Sequence, residues 1–524
     1  MNTPCDLTRA LAALAALTLA SGCDDGAADP IEMGAGDLDA TPDAAPDATP
    51  DAAAIPDMAP DMNPDMGAPL PAPFTPAALV GTWTSVDCEP TMGEYLTRQI
   101  TLTESEYTVF GAVFDDDACT DVMSDFVQVG TYEITGGSRL GDDIVEATFR
   151  LEHNYWIVRR ASLLPGFDIN DCGSEPWQAN VPQDISATGC LGFAYPLSAC
   201  PDGEQELIRL AGDRIATGER PLDICAERAP AISEVELRRM PDAVTIDAPL
   251  FYPEGVAVDA DRTLYIGGYT TGELRRAAFG SPTAETLVAP GALGGAALGM
   301  KIHDGALWVC ATDFADPTRS ALVRLDPATG AETGRYPLPG GGVCNDLTFA
   351  ADGAAYVTES SRNAVLRLAP GADALDAWFT GEALPPVGDP GFGFNGLVID
   401  DDGSLLVGRT DDGTLTRIPI ADDGAPGPAT IEAVEPVAVA LGFDGMQRWR
   451  GGHYAIRDGR LVRLYPGDPW TTEVIADGDD FPTTFAVDRN GNAWTVESRF
   501  GLLFDGDDAT DAEPPFRVVR HPLR

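Results

Sequence analysis

The feature that most limits what this chain can become is a unit that recurs through its C-terminal half. In four of the copies an apolar strand runs into a tight Asp-Gly or Asn-Gly turn, and a second apolar strand follows. The turns are Asp304-Gly305 before Leu307-Trp308-Val309, Asp352-Gly353 before Ala355-Tyr356-Val357, Asp402-Gly403 before Leu405-Leu406-Val407, and Asn490-Gly491 before Ala493-Trp494. Such dipeptides favour the turns that join antiparallel strands. A third strand carries a leucine-x-arginine signature, as in Leu322-Val323-Arg324-Leu325, Val365-Leu366-Arg367-Leu368, Leu415-Thr416-Arg417-Ile418 and Leu461-Val462-Arg463-Leu464. Counted from Glu254, Leu298, Asn345, Asn395, Asp444 and Thr483, the copies start 44, 47, 50, 49 and 39 residues apart. A period in the forties with three or four strands per copy is that of propeller blades, and six starts predict a six-bladed β-propeller over 241–524. The Gly-His and Trp-Asp marks of the WD40 version do not recur from repeat to repeat.

Ahead of the repeats, residues 74–240 read as a second all-β unit, a disulfide-bonded lipocalin-like or β-barrel-like domain. Short alternating runs dominate it, such as Gln99–Thr103, Tyr107–Phe110, Val127–Ile134 and Ile144–Leu151. Leu79-Val80-Gly81-Thr82-Trp83 has the Gly-x-Trp opening of lipocalin-like barrels, where the Trp closes one end. The candidate disulfide cysteines are Cys88, Cys119, Cys172, Cys190, Cys200 and Cys225 here, with Cys310 and Cys344 on neighbouring repeats. No C-x-x-C pair occurs, so disulfides are expected rather than a zinc cluster. The pairing among the first six is not decided by their order. Cys310 and Cys344 either pair beside Asn345 or stay as two buried thiols.

The same segment resembles the extracellular domain of the adenomatosis-polyposis-coli down-regulated protein family. The resemblance rests on Cys88-Glu89, Tyr95-Leu96-Thr97-Arg98, Asp117-Ala118-Cys119, Gly130-Thr131-Tyr132, Trp177, and Gly218-Glu219-Arg220-Pro221 before Cys225. It implies a membrane-tethered domain outside the cell that can hold an apolar ligand; a generic lipocalin-like spacer is the other reading.

The N-terminus has the pattern of a processing signal over 1–22. Arg9 precedes an apolar run from Leu11 to Ala20, too short to span a bilayer as a mature helix. Leu19-Ala20-Ser21-Gly22-Cys23 resembles a bacterial lipobox, with Ala20 where leucine is usual, and this implies lipidation of Cys23. An ordinary secretory signal is the alternative. Residues 23–73 are rich in Asp, Ala, Pro, Met and Gly, with Pro-Asp at Pro42, Pro46, Pro50, Pro56, Pro60 and Pro64. Such a stretch cannot bury a core, and its prolines and like charges keep it extended as a tether. The chain carries 33 Lys plus Arg against 83 Asp plus Glu, a net charge of −50. That field attracts cations and repels nucleic acid and anionic lipid, so nucleic-acid binding is excluded and membrane contact is expected through the lipid alone. The expected location is the bacterial cell envelope, on the periplasmic face or the outer surface.

In a propeller, residues at the starts of the inner strands converge on the axis. Here those positions hold Glu254 in Pro253-Glu254-Gly255, Asn345 in Cys344-Asn345-Asp346, Asn395 in Phe394-Asn395-Gly396 and Asp444 in Phe443-Asp444-Gly445. Carboxylate and amide oxygens from four blades are hard donors suited to Ca²⁺ foremost, with Mg²⁺, Mn²⁺ or Zn²⁺ as alternatives. A carboxylate pair buried there without a cation would repel itself and be costly to ionise.

These motifs, with Pro482-Thr483-Thr484 and the closing Pro515-Phe516-Arg517-Val518-Val519, resemble the senescence marker protein, gluconolactonase and luciferin-regenerating enzyme family of regucalcin-like propellers. The resemblance implies a divalent metal held by Glu254, Asn395 and Asp444, and Asn345 in contact with substrate or with a metal-bound water. Lactonase members often carry an arginine two residues before the Asn-Asp motif; this chain has Val343 there, and it lacks the aromatic that often follows Glu-Gly. Two functions follow as expectations. One is metal-assisted hydrolysis of a lactone or related ester of a small molecule, with Asp444 as the catalytic base. The other is a non-catalytic envelope binding protein whose metal is structural. Gly391-Phe392-Gly393-Phe394-Asn395-Gly396 fits G-x-G-x-x-G, but no βαβ unit surrounds it, so it reads as a loop entering a blade. His153, His303, His453 and His521 are scattered and read as structural or exposed.

Overall fold

The computed structural model describes residues 70–523 apart from 92–93, 170–171, 175, 191–193, 222, 383, 388–390, 437–440 and 505–511. The signal segment, Cys23 and most of the tether lie outside the described residues. The remainder is two β units, as expected from alternating and repeating apolar runs.

The second unit is six four-stranded antiparallel sheets arranged as blades. Their inner strands are Pro253–Val258, Ala296–His303, Cys344–Phe349, Phe394–Ile399, Phe443–Trp449 and Phe485–Val487. The second strands, such as Leu264–Gly268, Ala306–Thr312 and Leu405–Arg409, are buried at every position because neighbouring blades cover both faces. That is why they read as unbroken apolar runs, whereas the outermost strands Glu285–Val288 and Glu332–Pro337 are largely exposed. The sixth blade is closed by Ala243–Ile246, which pairs antiparallel with Phe516–Pro522 from Ala243 opposite Val519 to Ile246 opposite Phe516. The repeat pattern does not reveal this strand, because it precedes the first copy and completes the last.

The first unit is a closed eight-stranded barrel. Gly81–Ser85 pairs with both Leu237–Met240 and Glu94–Leu102, which shuts an antiparallel ring. Trp83, fully buried, donates its indole N–H to the Leu79 carbonyl at 2.8 Å, and the Arg239 guanidinium lies 4.2 Å over its ring. Every barrel strand sends an apolar side chain into the core around it, including Ile100, Tyr107, Tyr132, Val145, Ile208, Ile215 and Leu237. Disulfides join Cys88 to Cys119, Cys172 to Cys190 and Cys200 to Cys225. A fourth joins Cys310, on the second strand of blade 2, to Cys344, which opens the inner strand of blade 3. Among the described residues no helix is long and apolar enough to cross a membrane.

The barrel packs against one end of the propeller, on the turns that follow the inner strands. Arg262, in the blade 1 turn, donates to the Ser85 carbonyl at 2.7 Å and to that of Val86, with its guanidinium 3.5 Å from the Phe279 ring centroid. In the blade 6 turn Asn490 bonds Thr84, and Arg520 reaches the Thr82 hydroxyl at 3.0 Å. Arg450, in the blade 5 turn, pairs with the fully buried Asp125 of the barrel, which Arg159 also holds at 2.6 Å. Among the described residues the barrel makes no hydrogen bond to the other end of the propeller, where the inner strands begin.

Candidate active site

The four residues expected at the axis sit on a recurring irregularity. In blades 1 to 5 the pairing of the inner with the second strand shifts register once. The shift falls between Pro253 and Gly255, Ala297 and Met300, Cys344 and Leu347, Phe394 and Leu397, and Phe443 and Met446. A bulge frees a residue from the ladder and re-aims its side chain, and here the freed positions include Glu254, Asn345, Asn395 and Asp444. The glycines that follow three of these residues let the next blade come close: a Cβ at Gly255, Gly396 or Gly445 would strike its inner strand.

A hydroxyl latch fixes each of the four residues from the blade before. Ser498 donates to the Pro253 carbonyl at 2.6 Å, Thr312 to that of Cys344 at 2.8 Å, and Thr410 to that of Phe443 at 2.7 Å, while Ser360 bonds the Phe394 carbonyl at 2.5 Å. In every case the carbonyl belongs to the residue just before a site residue. Thr410 also accepts from the Asn395 amide at 3.1 Å. Short hydroxyls at the mouth end of the second strands thus set the position of the axial ring.

Glu254, Asn345 and Asn395 are buried, and Asp444 is half-buried toward the mouth. Burial, then the charges of Asp444 and Asp346, push the Glu254 carboxyl well above the usual range. Burial pushes Asp444 up to about 8, opposed by a hydrogen bond from Asn395 and reinforced by the Asp346 charge. Glu254 Oε2 and Asp346 Oδ2 are both buried with no hydrogen-bond partner.

Asp346 is therefore a third carboxylate of the site, which the expected set omits. Blade 3 has Asp346 where blades 1, 4 and 5 have glycine, and its side chain takes the space a glycine leaves. It accepts from the Leu347 N–H at 2.8 Å and from the Leu397 N–H of blade 4. Burial raises its pKa, and the positive charge of Lys301 acts against that rise. Lys301 is the chain's one lysine, on the inner strand of blade 2. A comparison of blade 3 with its sister repeats would have exposed Asp346; Lys301 has no equivalent in the other motifs. Tyr269, at the mouth end of the second strand of blade 1, is raised to about 12 by burial and by the Glu254 charge, so it too borders the acids.

The residues fit a hard cation through a mixed set of carboxylate and amide oxygens. Among the described residues no three His, Cys, Asp or Glu side chains group so as to hold a metal, and any cation here would have to draw on the amides of Asn395 and Asn345 as well. The remaining motifs are structural. His453, buried, bonds Asp400 at 2.9 Å; His521 bonds Asp479 at 2.7 Å; His303 stacks on Phe349 at 3.9 Å; and His153 stacks on Tyr155. Gly391–Gly393 is loop and Phe394 opens the blade 4 inner strand. Val343, buried in the core between blades 2 and 3, donates its N–H to Glu359 at 2.9 Å.

No protein-family model matches the sequence, and no curated protein matches it. Solved structures do. A calcium-binding regucalcin from Agrobacterium tumefaciens is 20% identical, over 54% of this chain and 96% of that one, with a TM-score of 0.40. A gluconolactonase from Xanthomonas campestris is 18% identical over 54% and 99%, with a TM-score of 0.38. A virginiamycin B lyase from Staphylococcus aureus is 12% identical over 61% and 92%, with a TM-score of 0.36. The three differ in what they do, and the likeness to them is one of fold.

Proposed function

We propose that the open mouth of the propeller holds a divalent cation, Ca²⁺ foremost, through Glu254, Asn395 and Asp444, and that the site hydrolyses a lactone or related ester of a small molecule. The observation that carries this reading is the pair of buried, unpartnered carboxylate oxygens, Glu254 Oε2 and Asp346 Oδ2, in one cluster with Asp444. Buried acids that repel one another are costly, and clusters of this kind mark functional sites. A bound divalent ion supplies Lewis-acid polarisation of the substrate carbonyl and stabilises charge developing on its oxygen.

The chain's own residues divide the rest. Asp444, half-buried at the mouth, is the candidate base: ionised by the charge of the cation it would hold, its carboxylate would take a proton from an attacking water and pass it to the leaving oxygen. Asn395 holds Asp444 in orientation through its hydrogen bond, itself braced by Thr410. Asn345, anchored by Thr312 and next to the Cys310–Cys344 disulfide, offers an amide to the substrate. The test is turnover of a lactone panel by the full chain, stripped of metal and refilled with Ca²⁺, Mn²⁺, Mg²⁺ or Zn²⁺. Hydrolysis restored by one cation and lost in Glu254→Gln, Asn395→Ala and Asp444→Asn supports the reading; unchanged turnover in all three variants ends it. A cation-dependent rise in melting temperature with no hydrolysis would leave a binding protein with a structural ion.

The same proposal places the chain in the bacterial cell envelope, lipidated at Cys23 and held off the membrane by 24–73. The barrel covers the far end of the propeller and leaves the mouth free for small molecules. Palmitate labelling that persists in Cys23→Ser would refute the anchor.

A further inference from the structure

The two ends of the propeller differ in their apolar exposure. Leu250, Phe314, Phe392, Leu441, Leu502 and Phe504 are all exposed at the mouth end, the first four on loops and the last two on the short helix Phe500–Phe504. Among the described residues, the turns at the barrel end carry no large exposed apolar side chain; the others of the propeller lie on third or outer strands. Single exposed apolar residues need no explanation, but one group here is contiguous. Tyr269 packs its ring 5.3 Å from Phe314, 4.8 Å from Phe500 and 5.9 Å from Phe504, and Phe500 lies 5.3 Å from Phe504. Phe314 is 42% exposed and Phe504 60% exposed, so the wall runs from solvent inward to Tyr269, which feels the charge of Glu254. Exposed carboxylates at the mouth end, Asp316, Asp412 and Asp477 among them, disfavour an anion there, while Arg319, Arg362 and Arg499 each pair with an acid.

We infer that the molecule this site takes is neutral and carries an aromatic or alkyl portion seated on Tyr269, Phe314 and Phe504, which set its specificity. That this molecule is a substrate rests on the hydrolase reading; the apolar seat stands on the aromatic wall alone. The wall is continuous with the acid cluster, which is what a bound molecule with one polar and one apolar end requires. A lipid surface would instead meet the isolated Leu250, Phe392 and Leu441 across a rim of carboxylates.

The test uses the full chain and two variants of exposed residues, Phe504→Ala and Phe314→Ala, whose folding is checked by thermal melting. Binding of the neutral fluorescent probe N-phenyl-1-naphthylamine is expected to weaken about tenfold in the double variant. The ratio of kcat/KM for a γ-lactone with an eight-carbon side chain to that for γ-butyrolactone is expected to fall by a similar factor. Probe binding and a lactone ratio that both ignore the substitutions overturn the inference while leaving hydrolysis intact. Probe binding that depends on Phe504 and Phe314 in a protein that hydrolyses nothing keeps the apolar seat and refutes the hydrolase reading. Co-sedimentation with phosphatidylcholine vesicles that is lost in Phe504→Ala, without probe binding, overturns it in favour of a lipid surface.

Discussion

Replacing Asp444 by asparagine should make the cation-free protein more stable at high pH while removing its response to cations. The folded state raises this carboxyl from 3.8 to about 8, mainly by burial. A raised acid pKa means that the folded chain keeps a proton that the unfolded chain releases. Its stabilising contribution is therefore complete below about pH 4, falls as pH rises, and is gone above pH 8. At about 1.4 kcal/mol per unit the four-unit gap sets a ceiling of about 6 kcal/mol. Coupling to Glu254 and Asp346, and relaxation around the site, reduce what asparagine recovers to about 2 kcal/mol, or roughly 4–8 °C in Tm. The assay is thermal melting in a chelator at pH 4 and pH 9. The two proteins should melt together at pH 4 and separate at pH 9, with the variant higher. A variant that melts with the wild type at pH 9, or below it, would refute the claim that Asp444 is held against its charge.

Other consequences are open to direct measurement. Lys301→Met removes the one positive charge that acts on Asp346, so calorimetry should show divalent cations binding about threefold tighter or more; an unchanged Kd would detach Lys301 from the site. Changing Cys310 and Cys344 together to serine opens a disulfide of sequence separation 34, and chemical denaturation should show a loss of about 2–4 kcal/mol, together with weaker substrate binding as Asn345 loses its neighbour's anchor. Arg450→Ala leaves Asp125 with Arg159 alone at the barrel–propeller contact, and limited proteolysis should cut between the two units at least several times faster, with the barrel core intact. Equal cutting rates would mean that the Arg262 and Asn490 contacts hold the interface unaided.

Much of this architecture was legible because blades repeat. Asp-Gly turns and leucine-x-arginine strands mark the same places in successive copies, and the axial residues stand out as polar groups at the heads of apolar strands. The barrel was legible in outline from Trp83 and the alternating runs, but its pairing of cysteines was not, since disulfide partners are set by three-dimensional proximity. The strand Ala243–Ile246 looks like any other short alternating segment, and nothing local says that it belongs to the last blade. Asp346 escaped notice because its neighbour Asn345 filled the expected role; the bulge at this point presents both. The hydroxyl latches of Thr312, Ser360, Thr410 and Ser498 were invisible for a similar reason. Serine and threonine are common at strand ends, and what distinguishes these four is the carbonyl each one meets in another blade.

The closing strand also joins the two units mechanically. Leu237–Met240 completes the barrel and Ala243–Ile246 completes the propeller, with Pro241 and Asp242 alone between them. During synthesis the barrel can fold as soon as it emerges, but the ring must stay unsealed until Phe516–Pro522 arrives, about 270 residues after Ile246. Any pull along the chain from its N-terminal side reaches the propeller at this seam first. The strand that shuts the ring is thus also the place where tension from outside would begin to open it.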